Sequence, residues 1–91
     1  MSNKIARKGD QDDLGYTIES ECSPDVKING QPVALKGSLM NDGVAIVSEV
    51  SGTVRVNGQP VALKGSQTEY HERRPKGIGT IDQGSDDVKS D

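Results

Sequence analysis

Asn29-Gly30-Gln31-Pro32-Val33-Ala34-Leu35-Lys36-Gly37-Ser38 recurs without a change as Asn57-Gly58-Gln59-Pro60-Val61-Ala62-Leu63-Lys64-Gly65-Ser66. The spacing is 28 residues in a chain of 91. An unaltered repeat in so short a chain means that one supersecondary unit has been copied. Its own chemistry assigns the unit to β-structure. Asn-Gly is the preferred centre of a two-residue type I′ hairpin turn, because both positions need positive φ. Asn29, Gly30, Asn57 and Gly58 are therefore the structural turn residues. In that register Ile28 faces Gln31, Val26 faces Val33 and Pro24 faces Leu35. Cross-strand partners share a face, so Val26, Ile28, Val33 and Leu35 form one apolar side. Val54, Val56, Val61 and Leu63 do the same in the second hairpin, and Lys27, Ala34 and Arg55 point the other way. Pro32 and Pro60 lack an N–H and belong where no ladder bond is needed.

Working outward turns two copies into three. Ala-x-Lys-Gly followed by Asp or Ser occurs at 6–10, 34–38 and 62–66, always 28 residues apart. A Ser with Val three positions on occurs as Ser23 with Val26, Ser51 with Val54 and Ser85 with Val88. The third hairpin is thus divided between the chain ends, with Ile5 matching Val33 and Val61. Pairing of the N- and C-terminal strands would place Val88 across from Ile5 and close a pseudo-three-fold ring with few open sheet edges. The expected fold is all-β: one domain over residues 1–91, of small conical or pyramidal form, with Ile5 and Val88 joining the core. The connections 11–22 and 39–50 hold 12 residues each, and 67–84 holds 18. Aligning Gly15, Gly43 and Gly77 puts the extra residues in an insertion at about 67–76.

Composition narrows the function. Apolar residues make up 31% of the chain, with no Phe, no Trp and two Tyr, so Val, Ile, Leu and Ala must supply the core. A net charge of −3 argues against a nucleic-acid partner, which calls for a basic stripe. One Cys excludes an internal disulfide. The N-terminus has charge but no apolar signal-peptide region, and no stretch approaches the length of a membrane span.

The order Ser23-Pro24-Asp25-Val26-Lys27-Ile28-Asn29-Gly30-Gln31-Pro32-Val33-Ala34-Leu35-Lys36-Gly37-Ser38, with Ala6-Arg7-Lys8-Gly9-Asp10 at the start, resembles the signature of the PAAR-repeat proteins. The resemblance covers almost the whole chain except residues 70–75. It implies a cone that caps the blunt end of a trimeric β-helical spike, one cap per trimer. Such spikes belong to contractile phage tails, type VI secretion systems and related injection machines, where the cap sharpens the tip for membrane puncture. The implied location is the distal tip of the virion tail or particle after cytoplasmic synthesis, with transient contact with the target membrane. The face that binds the spike stays open. With no room for a toxin domain, the chain reads as a bare tip and favours a phage tail or injection particle. A type VI adaptor recruiting effectors through the insertion is the alternative; a small metal-binding β-domain unrelated to spikes is the other. Two departures from the family motif stand out: Leu35 and Leu63 replace its Arg, which survives as Arg7, and Ser38 and Ser66 replace its closing Asp.

Chemistry-bearing residues are few. Many members of the family hold zinc with three His and one Cys, whereas this chain has His71 and Cys22 alone. Tetrahedral zinc needs four converging donors, so the family zinc site is expected to be lost, with no cofactor and His71 the single weak metal candidate. Cys22 occupies a packing position. Asp12-Asp13 and Asp86-Asp87 read as solvated charges flanking turns. Arg73-Arg74, which could meet phosphate headgroups, reads as part of a surface loop whose charges face water while Tyr70 packs over the cone. No nucleophile–base order, phosphate loop or metalloprotease motif occurs, so no catalytic residue is expected and the chain is not read as an enzyme.

Overall fold

Ten short strands build the chain, and no helix occurs among the described residues, which are 3–75 and 77–90 of a computed structural model. In chain order they are β1 Asn3–Lys4, β2 Ile18–Ser20, β3 Lys27–Ile28, β4 Gln31–Pro32 and β5 Leu39–Met40. Then follow β6 Ile46–Ser48, β7 Arg55–Val56, β8 Gln59–Pro60, β9 Gln67–Thr68 and β10 Lys89–Ser90. The Asn-Gly turns set the first two hairpins. Asn29 and Gly30 have φ of 53° and 81°, and Asn57 and Gly58 have 54° and 83°, the positive values that a type I′ turn requires. Ile28 pairs with Gln31 across β3–β4, and Val56 with Gln59 across β7–β8.

The chain ends pair as the third hairpin. β1 and β10 run antiparallel with Asn3 opposite Ser90 and Lys4 opposite Lys89. One residue further, Ile5 N–H donates to the Val88 carbonyl at 3.0 Å, as Val33 does to Val26 and Val61 to Val54 at the same distance. The same bond recurs three times at equivalent positions.

A ring of backbone hydrogen bonds joins the copies. Ala34 donates to Ala6, Ala62 to Ala34 and Ala6 to Ala62, at 2.9–3.0 Å. Around it each extended segment pairs with one neighbouring copy before its alanine and with the other after it. Arg7 bridges Val33, Leu35 bridges Val61 and Leu63 bridges Ile5. This exchange of partners explains why Leu35 meets Val61 rather than Pro24. Short paired strands, joined between copies by further backbone bonds, hold the chain by regular hydrogen bonding where large apolar side chains are scarce.

Two apolar layers sit on opposite faces of that ring. One holds Ile5, Val33, Leu35, Val61 and Leu63, with Ile28 and Val56 half-buried against it. The other was not part of the expected core: Ala6, Ala34 and Ala62 meet Ile18, Met40, Ile46 and Ile81, flanked by Tyr16, Cys22 and Val50. Ala34 does point away from Val33, but into this second core. Val26, Val54 and Val88 depart from expectation in the other direction, being 40%, 37% and 38% exposed. Each sits just after the turn in which Ser23, Ser51 or Ser85 takes its N–H. At that outer end no further strand covers the side chain.

The third copy carries a seven-residue insertion and a one-residue deletion. Asp12 donates to Tyr16 and Met40 to Val44, four positions on, whereas Thr68 donates to Gly79, eleven positions on. By this register Gly79, not a neighbour of Gly77, is the equivalent of Tyr16 and Val44. Ile18 to Ser23 and Ile46 to Ser51 are five steps, but Ile81 to Ser85 is four. The missing residue corresponds to the left-handed bend at Glu21 and Glu49, which hold φ of 58° and 57°.

That bend accounts for serine at 38 and 66 where the first copy has Asp10. Ser38 Oγ and Ser66 Oγ accept from the N–H of Leu35 and Leu63 at 2.8 Å and donate to the carbonyls of Glu21 and Glu49 at 2.9 Å. Asp10 faces the copy without the bend residue. Its carboxylate accepts from Arg7 N–H at 2.8 Å and from the Arg7 guanidinium at 3.1 and 3.2 Å. The Asp10 hydrogen bond holds the Arg7 guanidinium above its ordinary pKa, against the opposing effect of burial.

Candidate functional site

Each copy closes a turn by a backbone bond: Asp12 to Tyr16, Met40 to Val44 and Thr68 to Gly79. Neighbouring turns are tied by Asn41 to Thr17, Glu69 to Ala45 and Asp13 to Thr80, at 2.8–2.9 Å. Into this convergence the insertion delivers one side chain. The insertion folds on itself through bonds from His71 to Gly77, Arg74 to His71 and Gly77 to Arg74, and Arg74 turns inward.

Arg74 is 2% exposed, so it is neither a surface charge nor a headgroup contact. Its Nη1 donates to Asp12 Oδ2 at 2.6 Å, Nη2 to Asp42 Oδ1 at 2.9 Å and Nε to Asp42 Oδ2 at 3.0 Å. Its Cζ lies 4.2 Å from the centroid of the Tyr16 ring, a cation–π arrangement. Asp12, expected to be solvated, is 3% exposed and also accepts the N–H groups of Leu14 and Tyr16 at 2.9 Å through Oδ1. Burial pushes the Arg74 guanidinium down, but its bonds to Asp42 and Asp12 outweigh this and hold it above the ordinary value. Burial likewise pushes Asp42 up, and the Arg74 hydrogen bond and charge reverse it, leaving the carboxyl below the ordinary carboxylate range.

One cation therefore ties the third copy to the first and second. Both carboxylate oxygens of Asp12 accept hydrogen bonds, so the cluster acts as a cross-link. Gly79 makes the space for it: a Cβ there would collide with Arg74 Nη1 and Asp12 Oδ2.

The other predicted site residues lie apart from this cluster. Tyr70, expected to pack over the fold, is 70% exposed, with its ring edge standing over Gly77. His71 is half-buried and its Nδ1 accepts the Arg73 N–H at 3.2 Å. Cys22 packs against the alanine-lined core, and burial raises its thiol pKa. Among the described residues no three His, Cys, Asp or Glu side chains gather as ligands, and His71 and Cys22 occupy unrelated surroundings.

The opposite side of the ring offers a different surface. Val26 and Ile28 share a strand face with the buried Val33, and Val54 and Val56 share one with Val61. With Val88 beside Ile5, three equivalent, partly exposed valines rim the layer of Ile5, Val33 and Val61. Isolated exposed valines are ordinary; three at equivalent positions form a trigonal rim.

No protein-family model, curated protein or solved structure matches this chain. No helix among the described residues is long and apolar enough to cross a membrane.

Proposed function

We propose that this chain caps a trimeric β-helical spike and sharpens it for membrane puncture by a contractile injection machine. The observation that carries the reading is the ring Ala6–Ala34–Ala62, around which one chain repeats the same backbone bonds three times. A trimeric β-helix ends in three equivalent open strand edges and an apolar cross-section, which need covering. A single chain with three near-equivalent flanks answers all three at once, and strand addition is a recurrent way to do so.

The trigonal rim of Val26, Val54 and Val88 is the docking end in this reading. The Arg74 cluster then lies at the other end of the chain's pseudo-axis, and its work is mechanical. A tip driven through a membrane needs its three copies held together, and a buried cation tied to both other copies does this without a bound metal. The role includes no catalytic step, cofactor or nucleic acid. It places the chain at the distal tip of a phage tail or related particle, in transient contact with the target membrane.

Mixing the protein with the C-terminal β-helix of its cognate spike tests the reading. One cap per spike trimer by native mass spectrometry is the expected result, and Val54→Asp should weaken the complex while leaving the cap folded. No complex, or three caps per trimer, overturns the reading. The second reading, a type VI adaptor, draws on the insertion, which leaves Tyr70 70% and Ile78 39% exposed. Retention of a separate effector by the cap, lost in Tyr70→Ser, would favour it.

A further inference from the structure

Lys4 lies between two other lysines. In register it is directly opposite Lys89 on one side. On the other side Lys64 N–H donates to the Lys4 carbonyl at 2.8 Å. The three lysines therefore stand abreast on three adjacent strands, whose backbones lie about 4.8 Å apart. Like charges directly opposed across a sheet are destabilising.

The two equivalent places avoid this. There Pro32 lies between Lys27 and Lys8, and Pro60 between Arg55 and Lys36. Edge protection does not account for Lys4, since edge lysines guard unpaired strands and Lys4 is on the middle one. The two equivalent positions hold proline, so the backbone geometry there does not call for lysine.

The three lysines line one groove together with Asn3, Thr80 and Asp82. The equivalent groove around Lys36 is lined by Glu21, Val47 and Gln59 instead. Asp86, 84% exposed, takes the Lys4 ammonium at 2.5 Å, in a neighbouring groove that Lys4 and Lys64 line together with Asp10 and Asp82. Lys64 and Lys89 have no ion-pair partner among the described residues. We infer that the groove formed by Lys4, Lys64 and Lys89 binds a phosphate oxyanion. A tetrahedral anion with several acceptor oxygens can take donors from all three lysines, and lysine binds phosphate as a point charge. Asp82 opposes the anion and sets a weak affinity.

The source of the phosphate is either a lipid headgroup or a soluble phosphate, and the test separates them. Backbone amide shifts are followed by NMR during titration with inorganic phosphate at constant ionic strength. Saturable shifts are expected near residues 3–4, 64, 80–82 and 89. Lys4→Pro, which copies the other two repeats, and Lys64→Gln should each weaken binding about tenfold. Lys36→Gln in the equivalent groove should leave it unchanged, and Asp82→Asn should tighten it. Co-sedimentation with phosphatidylglycerol vesicles but not phosphatidylcholine vesicles, lost in Lys4→Pro, assigns the phosphate to lipid. Phosphate binding without vesicle binding assigns it to a soluble ligand. Absence of saturable shifts, or equal losses in Lys36→Gln and Lys64→Gln, overturns the inference.

Discussion

The Arg74 guanidinium and the Asp12 carboxylate meet at 2.6 Å with both side chains wholly removed from water. Sixty-two positions separate them in sequence, so the contact closes the first copy onto the insertion of the third. Removing one member of a buried pair leaves a charge stranded. Arg74→Met should therefore destabilise the protein by about 3–5 kcal/mol, measured by urea unfolding. Arg74→Lys should recover only part of this, because it loses the fork to Asp42 and the stack on Tyr16. A loss below about 0.5 kcal/mol in Arg74→Met, the range of ordinary surface substitutions, would refute the cross-link.

Acid should loosen the same cluster through Asp42. Its folded pKa lies below the ordinary value of 3.8 because Arg74 favours the charged form over the effect of burial. A depressed carboxyl stabilises fully above its unfolded pKa, and the contribution is lost as pH falls through the lower folded value. Stability should thus hold above about pH 4 and fall below it. Asp42→Asn should flatten that decline while lowering stability at neutral pH; an unchanged acid slope would count against the Asp42 contribution.

Glycine at position 79 is a condition of the cluster. Gly79→Ala should destabilise, since its Cβ has no room beside Arg74 and Asp12. Gly52 is the control: a methyl group there would have nothing within 4 Å, and its backbone is not left-handed. Gly52→Ala should be neutral or stabilising by up to about 1 kcal/mol. The Gly79→Ala penalty should shrink in an Arg74→Met background, a coupling that a double-mutant cycle reads directly.

The sequence made the hairpins legible because Asn-Gly leaves little choice of turn, and the turn fixes the register of every neighbour. It made the terminal pairing of Ile5 with Val88 legible because the spacing of 28 carried over to both chain ends. It hid the second core because each segment was read as one two-sided ribbon, whereas it changes partners at Ala6, Ala34 or Ala62. It hid Arg74 because an arginine among Glu69, Glu72 and Arg73 has the composition of a solvated loop. A signal was present nonetheless. Asp12 stands where the sister copies have Met40 and Thr68, and Gly79 where they have Tyr16 and Val44. A carboxylate and a gap at core-patterned positions require a buried cation.

Ser38 offers a test of the motif itself. Its hydroxyl donates to Glu21 and accepts from Leu35, and the residue is fully buried. Ser38→Asp would supply the residue that the first copy has at Asp10, yet it would set a carboxylate against the Glu21 carbonyl. The expected cost is about 2 kcal/mol or more, seen as a lower thermal midpoint. Deleting Glu21 in the same chain, which matches the shorter third copy, should relieve part of the loss. A stable Ser38→Asp single variant would show that the Glu21 bend and the closing residue are independent.

The closed ring implies that the position of the chain ends is arbitrary. Ser90 and Asn3 pair as Ile28 and Gln31 do, so an Asn-Gly dipeptide between Ser90 and Asn3 should form a third type I′ turn. A permutant joined in this way and opened between Asn57 and Gly58 should fold with an unfolding midpoint near that of the parent. Within the parent, Ile5→Ala should cost about 2–4 kcal/mol, as for other buried aliphatic truncations. Val88→Ala should cost about 1 kcal/mol or less, because Val88 is 38% exposed. The pairing depends on the backbone bond from Ile5 to the Val88 carbonyl, not on the valine side chain. A permutant that fails to fold, or a Val88→Ala loss equal to that of Ile5→Ala, would contradict this division of work.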